Sequence, residues 1–240
     1  MIIIIISNKR HSLRRSNSNG LSISTLKCKQ IYDCAFMHVN VCGSMQELSE
    51  VGKDLPTRAG DSEVNREKNR YPFILPYDHC RVRLSVQNSY PHTDYINANF
   101  VPGGGSERDF ICTQGPLPNT IADFWRMVWE QNVRIVVMVT ALKHKDIVRD
   151  TYSFLTRKQG PDYFITTINL RHVSERHRII THYYYPSWPD RGVPKSPSTL
   201  CVFTEHVRQH LETIPRMGPA VVHCSLCSVW GQFEIQALIL

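Results

Sequence analysis

The chain has 240 residues, 42% of them hydrophobic and 20% charged, a balance that excludes a wholly disordered polymer and fits one domain of ordinary size. Twenty-eight Lys and Arg against 21 Asp and Glu give a formal net charge of +7; this favours anionic partners, while the lack of finger spacing, ribonucleoprotein signature or basic helical stripe argues against nucleic acid. No run reaches the roughly 20 apolar residues of a membrane span, Met1–Ile6 is too short for a secretory signal, and the eight cysteines are spaced like free thiols, so a cytoplasmic setting is expected.

Residues 1–44 join an Ile run, a Ser, Asn and Arg stretch (Lys9 to Ser24) and Cys28, Cys34 and Cys42. Neither a 3.6 nor a 2.0 period persists, which predicts a disordered leader. Within it, Arg14, Arg15 and Ser16 read as a solvated basic tail, with a kinase or nuclear-import motif as the alternative. Met45 to Val51 is helix-like, Pro56 to Glu67 a polar connection, and order is expected from about Asn65.

Six short segments rich in β-branched and aromatic residues then predict strands: Tyr95–Val101, Asp109–Thr113, Arg134–Thr140, Tyr163–Leu170, Arg178–Tyr185 and Pro219–Cys224. Ile121, Phe124, Trp125, Val128 and Trp129 form one apolar stripe on a helix from about Asn119 to Gln131. A second helix opens with Ser196 as N-cap and Pro197 at its first position, burying Leu200, Phe203, Val207 and Leu211. The pattern is α/β, a mixed sheet flanked by helices, whose last strand carries a cysteine to its end.

That cysteine is Cys224, in Val221-Val222-His223-Cys224-Ser225. A thiol there is placed for nucleophilic chemistry if cations or a helix N-terminus lower its pKa; the alternative is a small packed hydrophobe. Trp188-Pro189-Asp190-Arg191-Gly192-Val193-Pro194 reads as a hinged loop whose Asp190 is either a general acid or an ordinary turn residue.

A family resemblance rests on Lys68-Asn69-Arg70-Tyr71, Leu75-Pro76-Tyr77-Asp78, Arg81-Val82, Asp94 to Asn99, Thr113 to Leu117, Asp123-Phe124-Trp125, Trp188-Pro189-Asp190 and Val222 to Ser225, in this order. These blocks resemble the classical protein tyrosine phosphatases, most of all single-domain receptor-type members, from about Met45 to Ser225. The resemblance implies a phosphotyrosine protein phosphatase-like mixed sheet over 45–240 with its C-terminal part missing. It also implies phosphotyrosine-containing proteins as partners, a cytoplasmic location that in a longer relative is the inner side of a membrane receptor, and no metal or other cofactor. By matching position, Cys224 is the nucleophile forming a cysteinyl-phosphate, Asp190 the general acid and base, and Tyr71 the wall of a deep pocket. His223 and Ser225 border the substrate site, His223 helping to keep Cys224 ionised.

The loop after the cysteine departs from that pattern. The family has five residues, glycines among them, then arginine; here Ser225-Leu226-Cys227-Ser228-Val229 leads to Trp230. The phosphate cradle loses its arginine and the glycines that let its backbone curl, which predicts negligible turnover. His144 stands where an arginine-holding glutamate is expected, the usual motif near 149 is replaced by Arg149 to Phe154, and Phe73 takes a position that usually carries a polar group. Abrupt loss of the pattern after Val148 and Ser225 also fits a spliced or misread gene product. Beside the active phosphatase stand a catalytically dead phosphotyrosine-binding module and, from Cys224 and Cys227, a thiol-disulfide site.

Overall fold

The computed structural model describes residues 2–6, 54–103, 105–139, 157–158, 163–172, 176–187, 197–215 and 217–224. Among them the strands are β1 (Ile2–Ile6), β2 (Arg81–Arg83), β3 (Tyr95–Val101), β4 (Phe110–Gln114), β5 (Ile135–Met138), β6 (Arg157–Lys158), β7 (Phe164–His172), β8 (His177–Tyr184) and β9 (Ala220–Cys224). The helices are α1 (Arg58–Asp61), α2 (Ile121–Glu130) and α3 (Pro197–Thr213), with 3-10 turns at Glu63–Lys68 and Pro91–Asp94.

One sheet takes all nine strands in the order β1-β7-β8-β5-β9-β4-β3-β2, with β6 also paired to β7. Its centre is parallel, β8 on β5, β5 on β9 and β9 on β4; both flanks are antiparallel. The central strands carry near-continuous buried runs, as strands covered on both faces must. Towards the flank β7 alternates buried and half-buried residues.

The two faces make two cores. Phe110, Cys112, Ile135, Val137, Tyr183, Ala220 and Val222 pack with Leu200, Phe203 and Val207 of α3. Their neighbours in sequence, Ile111, Val136 and Val221, turn to the other face and meet Phe124, Trp125, Met127 and Val128 of α2. The period of two along each strand therefore assigns every strand residue to one helix or the other. Arg126 also lies in the buried part of α2, because its guanidinium donates to the carbonyls of Ser85 and Thr93 and pairs with Asp123 at 3.1 Å.

α2 stops where Asn132 turns left-handed (φ 55), a conformation asparagine tolerates better than most residues. The chain then passes close to the return into β9: a Cβ on Gly218 would lie 2.2 Å from the Gln131 carbonyl oxygen. Among the described residues no helix is long and apolar enough to cross a membrane.

The structure bears out all six expected strands and both main helices, with ends displaced by a few residues. It corrects three expectations. The supposed disordered leader contains β1, which pairs antiparallel with β7 from Ile2↔His172 to Ile6↔Ile168; five β-branched residues fit a pleated edge. Order begins at least as early as Asp54, not near Asn65. The connection Pro56 to Glu67 is largely helical, its start held by the Asp78 carboxylate, which accepts from the backbone N–H groups of Arg58 and Ala59 at 2.9 and 3.0 Å. Met45 to Val51 lies outside the described residues.

Candidate active site

Cys224 ends β9 beside Gln114, the last residue of β4. It is half-buried, and its side chain follows Ala220 and Val222 onto the α3 face. One step past Gln114, Gly115 leaves the sheet and donates its N–H to the Cys224 carbonyl at 2.8 Å. This bond carries the β4–β9 pairing past the strand ends and fixes where the Cys224 backbone leaves the sheet.

The segment bearing Tyr71 is tied to the same place. The Arg70 N–H donates to Gln114 Oε1 at 2.9 Å, and Gln114 Nε2 donates to the Lys68 carbonyl at 2.8 Å. Arg70 Nη2 donates to the Gly115 and Pro116 carbonyls at 2.8 and 3.1 Å. Lys68 reaches the His92 carbonyl at 3.0 Å, while the Asn119 side chain donates to the Glu67 carbonyl at 3.0 Å. Beneath, Asn69 accepts from Tyr95 Oη and Asn97 Nδ2 and donates to the Gly60 carbonyl. With the flanking backbone so held, Tyr71 is presented 38% exposed next to the anchored Arg70.

His223 sits differently from the sequence expectation. It is only 1% exposed and faces α2, its ring edge-on to Phe124 with centroids 5.6 Å apart and stacked on His182 at 6.3 Å. Burial, with smaller contributions from His182 and Arg70, pushes its pKa down to about 3, so the ring is neutral near pH 7. It offers no positive charge to Cys224, and strand alternation sends the two side chains to opposite faces. Among the described residues Arg70 is a cation near this strand end, and its field reaches His223. On the same face as Cys224 lies Cys112, whose thiol is pushed up to about 12 by burial and secondarily by Cys224, which makes it an inert packing group.

Asp190, Ser225, Cys227 and Trp230 lie outside the described residues, as do His144 and Arg149 to Phe154. The structure thus brings Tyr71 and Cys224 to one end of the sheet and withdraws His223 into the core. The parts played by Arg70, Gln114 and Gly115 are additions to the sequence reading. A buried glutamine closing an apolar strand, followed at once by glycine, was the signal for them.

Fold and strand-end thiol together define a class: an α/β protein with a cysteine where open sheets bind their ligands. Comparison with known proteins narrows it. A family model described as protein-tyrosine phosphatase matches residues 65–160 and 151–227. Receptor-type tyrosine-protein phosphatase V of Rattus norvegicus is 37% identical over 216 residues, 82% of this chain and 13% of that protein. Receptor-type tyrosine-protein phosphatase eta of Homo sapiens is 39% identical over 205 residues, 77% and 15% respectively. Tyrosine-protein phosphatase non-receptor type 2 of Homo sapiens is 37% identical over 198 residues, 75% and 47%. The chain belongs to the protein-tyrosine phosphatase family, and it spans from about an eighth to about half the length of these relatives. The two matched pieces overlap over 151–160, just downstream of the point where the expected motif fails, and the match ends three residues before Trp230.

Proposed function

We propose that this domain recognises phosphotyrosine on protein partners and carries the layout for hydrolysing it through a cysteinyl-phosphate, with turnover impaired by Trp230. The observation that carries the reading is the set of bonds from Arg70 through Gln114 and Gly115 to the Cys224 backbone, which holds the Tyr71 segment beside the thiol. A deep aromatic-walled pocket ending in a thiol admits a phosphorylated phenol and leaves shorter phosphoserine out of reach.

In the proposed chemistry Cys224 thiolate attacks phosphorus as the bond to the tyrosyl oxygen breaks, and Asp190 gives that oxygen its proton. Asp190 then takes a proton from water, which attacks the cysteinyl-phosphate, releases phosphate and restores the thiolate. No metal takes part. Negative charge gathers on the phosphoryl oxygens at both steps, and indole cannot answer it as guanidinium does. By analogy with other phosphoryl-transfer sites one transition-state arginine is worth about 10³ to 10⁵ in rate, or roughly 4 to 7 kcal/mol.

Binding tests the recognition half. A phosphotyrosyl peptide should bind the Cys224→Ser chain saturably, at least tenfold tighter than the same peptide unphosphorylated or carrying phosphoserine. Tyr71→Ala should erase most of that preference. Equal binding of all three peptides would overturn the reading.

A further inference from the structure

Along the β2 and β3 edge a cavity of about 620 Å³ opens between Leu55, Tyr77, Cys80, Phe100 and three arginines, Arg81, Arg83 and Arg108. Its Phe100 and Val101 wall is remote from Cys224 along the strands. β4 begins at Phe110 on this side and reaches Gln114 beside Cys224 four residues later, about 13 Å along the strand. The cavity further lies against the β2 and β3 edge, with β4 between it and β9.

Its arginines are held in different ways. Arg81 is 8% exposed; its Nη2 pairs with Asp94 at 2.7 Å, while Nε and Nη1 are buried with no hydrogen-bond partner among the described residues. These two donors are sealed from solvent, so Arg81 stands behind the cavity wall as a buried charge paired with Asp94 and offers no hydrogen bond to an occupant. Arg83 is exposed and only 3.9 Å from the same Asp94 oxygen. Arg108 lies over the Phe100 ring at 4.8 Å. The turn that presents it is fixed by the Asp109 carboxylate, which accepts from the N–H groups of Gly103, Gly105 and Ser106. Against these three cations the lining offers one carboxylate, Glu107, with Asp94 behind Arg81. Leu55, Tyr77 and Phe100 supply apolar walls, and the volume falls within the usual range of about 300 to 1,000 Å³ for small-molecule sites.

We infer that this cavity is a second ligand site, independent of the catalytic one, for a small organic anion: a phosphate or carboxylate head received by the exposed Arg83 and Arg108, with an apolar body against Tyr77 and Phe100. Planar guanidinium groups suit both heads through paired N–H donors. Cys80 reports on occupancy, being half-buried in the lining; burial also raises its pKa, so its alkylation is slow enough to follow by mass spectrometry.

The test uses the whole chain and phenylphosphonate, a head and body that no phosphatase hydrolyses at a P–O ester. The ligand should slow Cys80 alkylation at least fivefold and saturably, leave Cys201 on α3 unaffected, and act equally on the Cys224→Ser chain. Inorganic phosphate should protect more weakly, and benzyl alcohol should not protect. The double variant Arg83→Ala, Arg108→Ala removes exposed side chains only and should weaken apparent affinity at least tenfold. The inference is overturned if phenylphosphonate does not slow Cys80 alkylation, if the double variant is protected as well as the parent, if benzyl alcohol protects equally, or if protection vanishes with Cys224→Ser.

Discussion

Two histidines set how this fold responds to acid. Burial pushes His182 down to about 4, and burial with help from His182 and Arg70 pushes His223 down to about 3, from an ordinary 6.5. The unfolded chain therefore binds more protons than the folded one below about pH 6.5. Stability from the neutral rings is fully present above that value and is lost as the pH falls toward 4 and 3, at up to about 1.4 kcal/mol per pH unit for each ring. His206 and His210 on α3, both lowered chiefly by burial, act in the same direction. The urea midpoint should fall steadily between pH 7 and pH 5; a flat midpoint would mean that these rings are charged or solvated. Cysteine reactivity separates the two thiols on one face. Cys112, held up at about 12, should resist iodoacetamide in the native chain and react only on unfolding, as peptide mapping would show.

At the scale of elements, the joints carry as much as the strands. Arg70 donates to two carbonyls beyond β4 and takes Gln114 through its own N–H. Arg70→Ala should cost about 1.5 to 3 kcal/mol in denaturant unfolding, because the carbonyls it leaves are half-buried. The same variant should loosen the Tyr71 segment and reduce phosphotyrosyl-peptide binding beyond what the stability loss explains. Gly218→Ala should destabilise by about 1 to 3 kcal/mol, since the new methyl meets the Gln131 carbonyl at 2.2 Å and backbone must shift. Phe203→Ala, by contrast, empties the middle of the α3 core and should cost about 3 to 5 kcal/mol.

Which elements could be read from the sequence follows from the same physics. β3, β4, β5, β7, β8 and β9 advertise themselves by β-branched and aromatic runs, and α2 by its stripe. β2 is Arg-Val-Arg, too short to show a period. α1 is capped by Asp78 some 20 residues away, so nothing local marks it. At the site, Cys224 and Tyr71 were legible from motif order. The withdrawal of His223 was not separately drawn, although strand alternation forces it once Cys224 is placed on the α3 face. The cavity at Arg81, Arg83 and Arg108 depends on the turn before β4, which no motif describes, although Arg81-Val82 itself belongs to the motif order.

For the whole molecule, a sheet of nine strands with α2 and α3 on opposite faces gives a rigid frame, on which the ends of β4 and β9 serve the proposed catalysis. The proposal for that frame is that Cys224, Asp190 and Tyr71 supply the layout for phosphotyrosine hydrolysis and that Trp230 withholds the charge that would drive it. Phosphate release from a phosphotyrosyl peptide by the parent chain, Cys224→Ser and Trp230→Arg tests this most directly. The account predicts a parent indistinguishable from Cys224→Ser and a gain of at least a hundredfold in Trp230→Arg. Turnover by the parent well above the serine control, or no gain on restoring arginine, would contradict it.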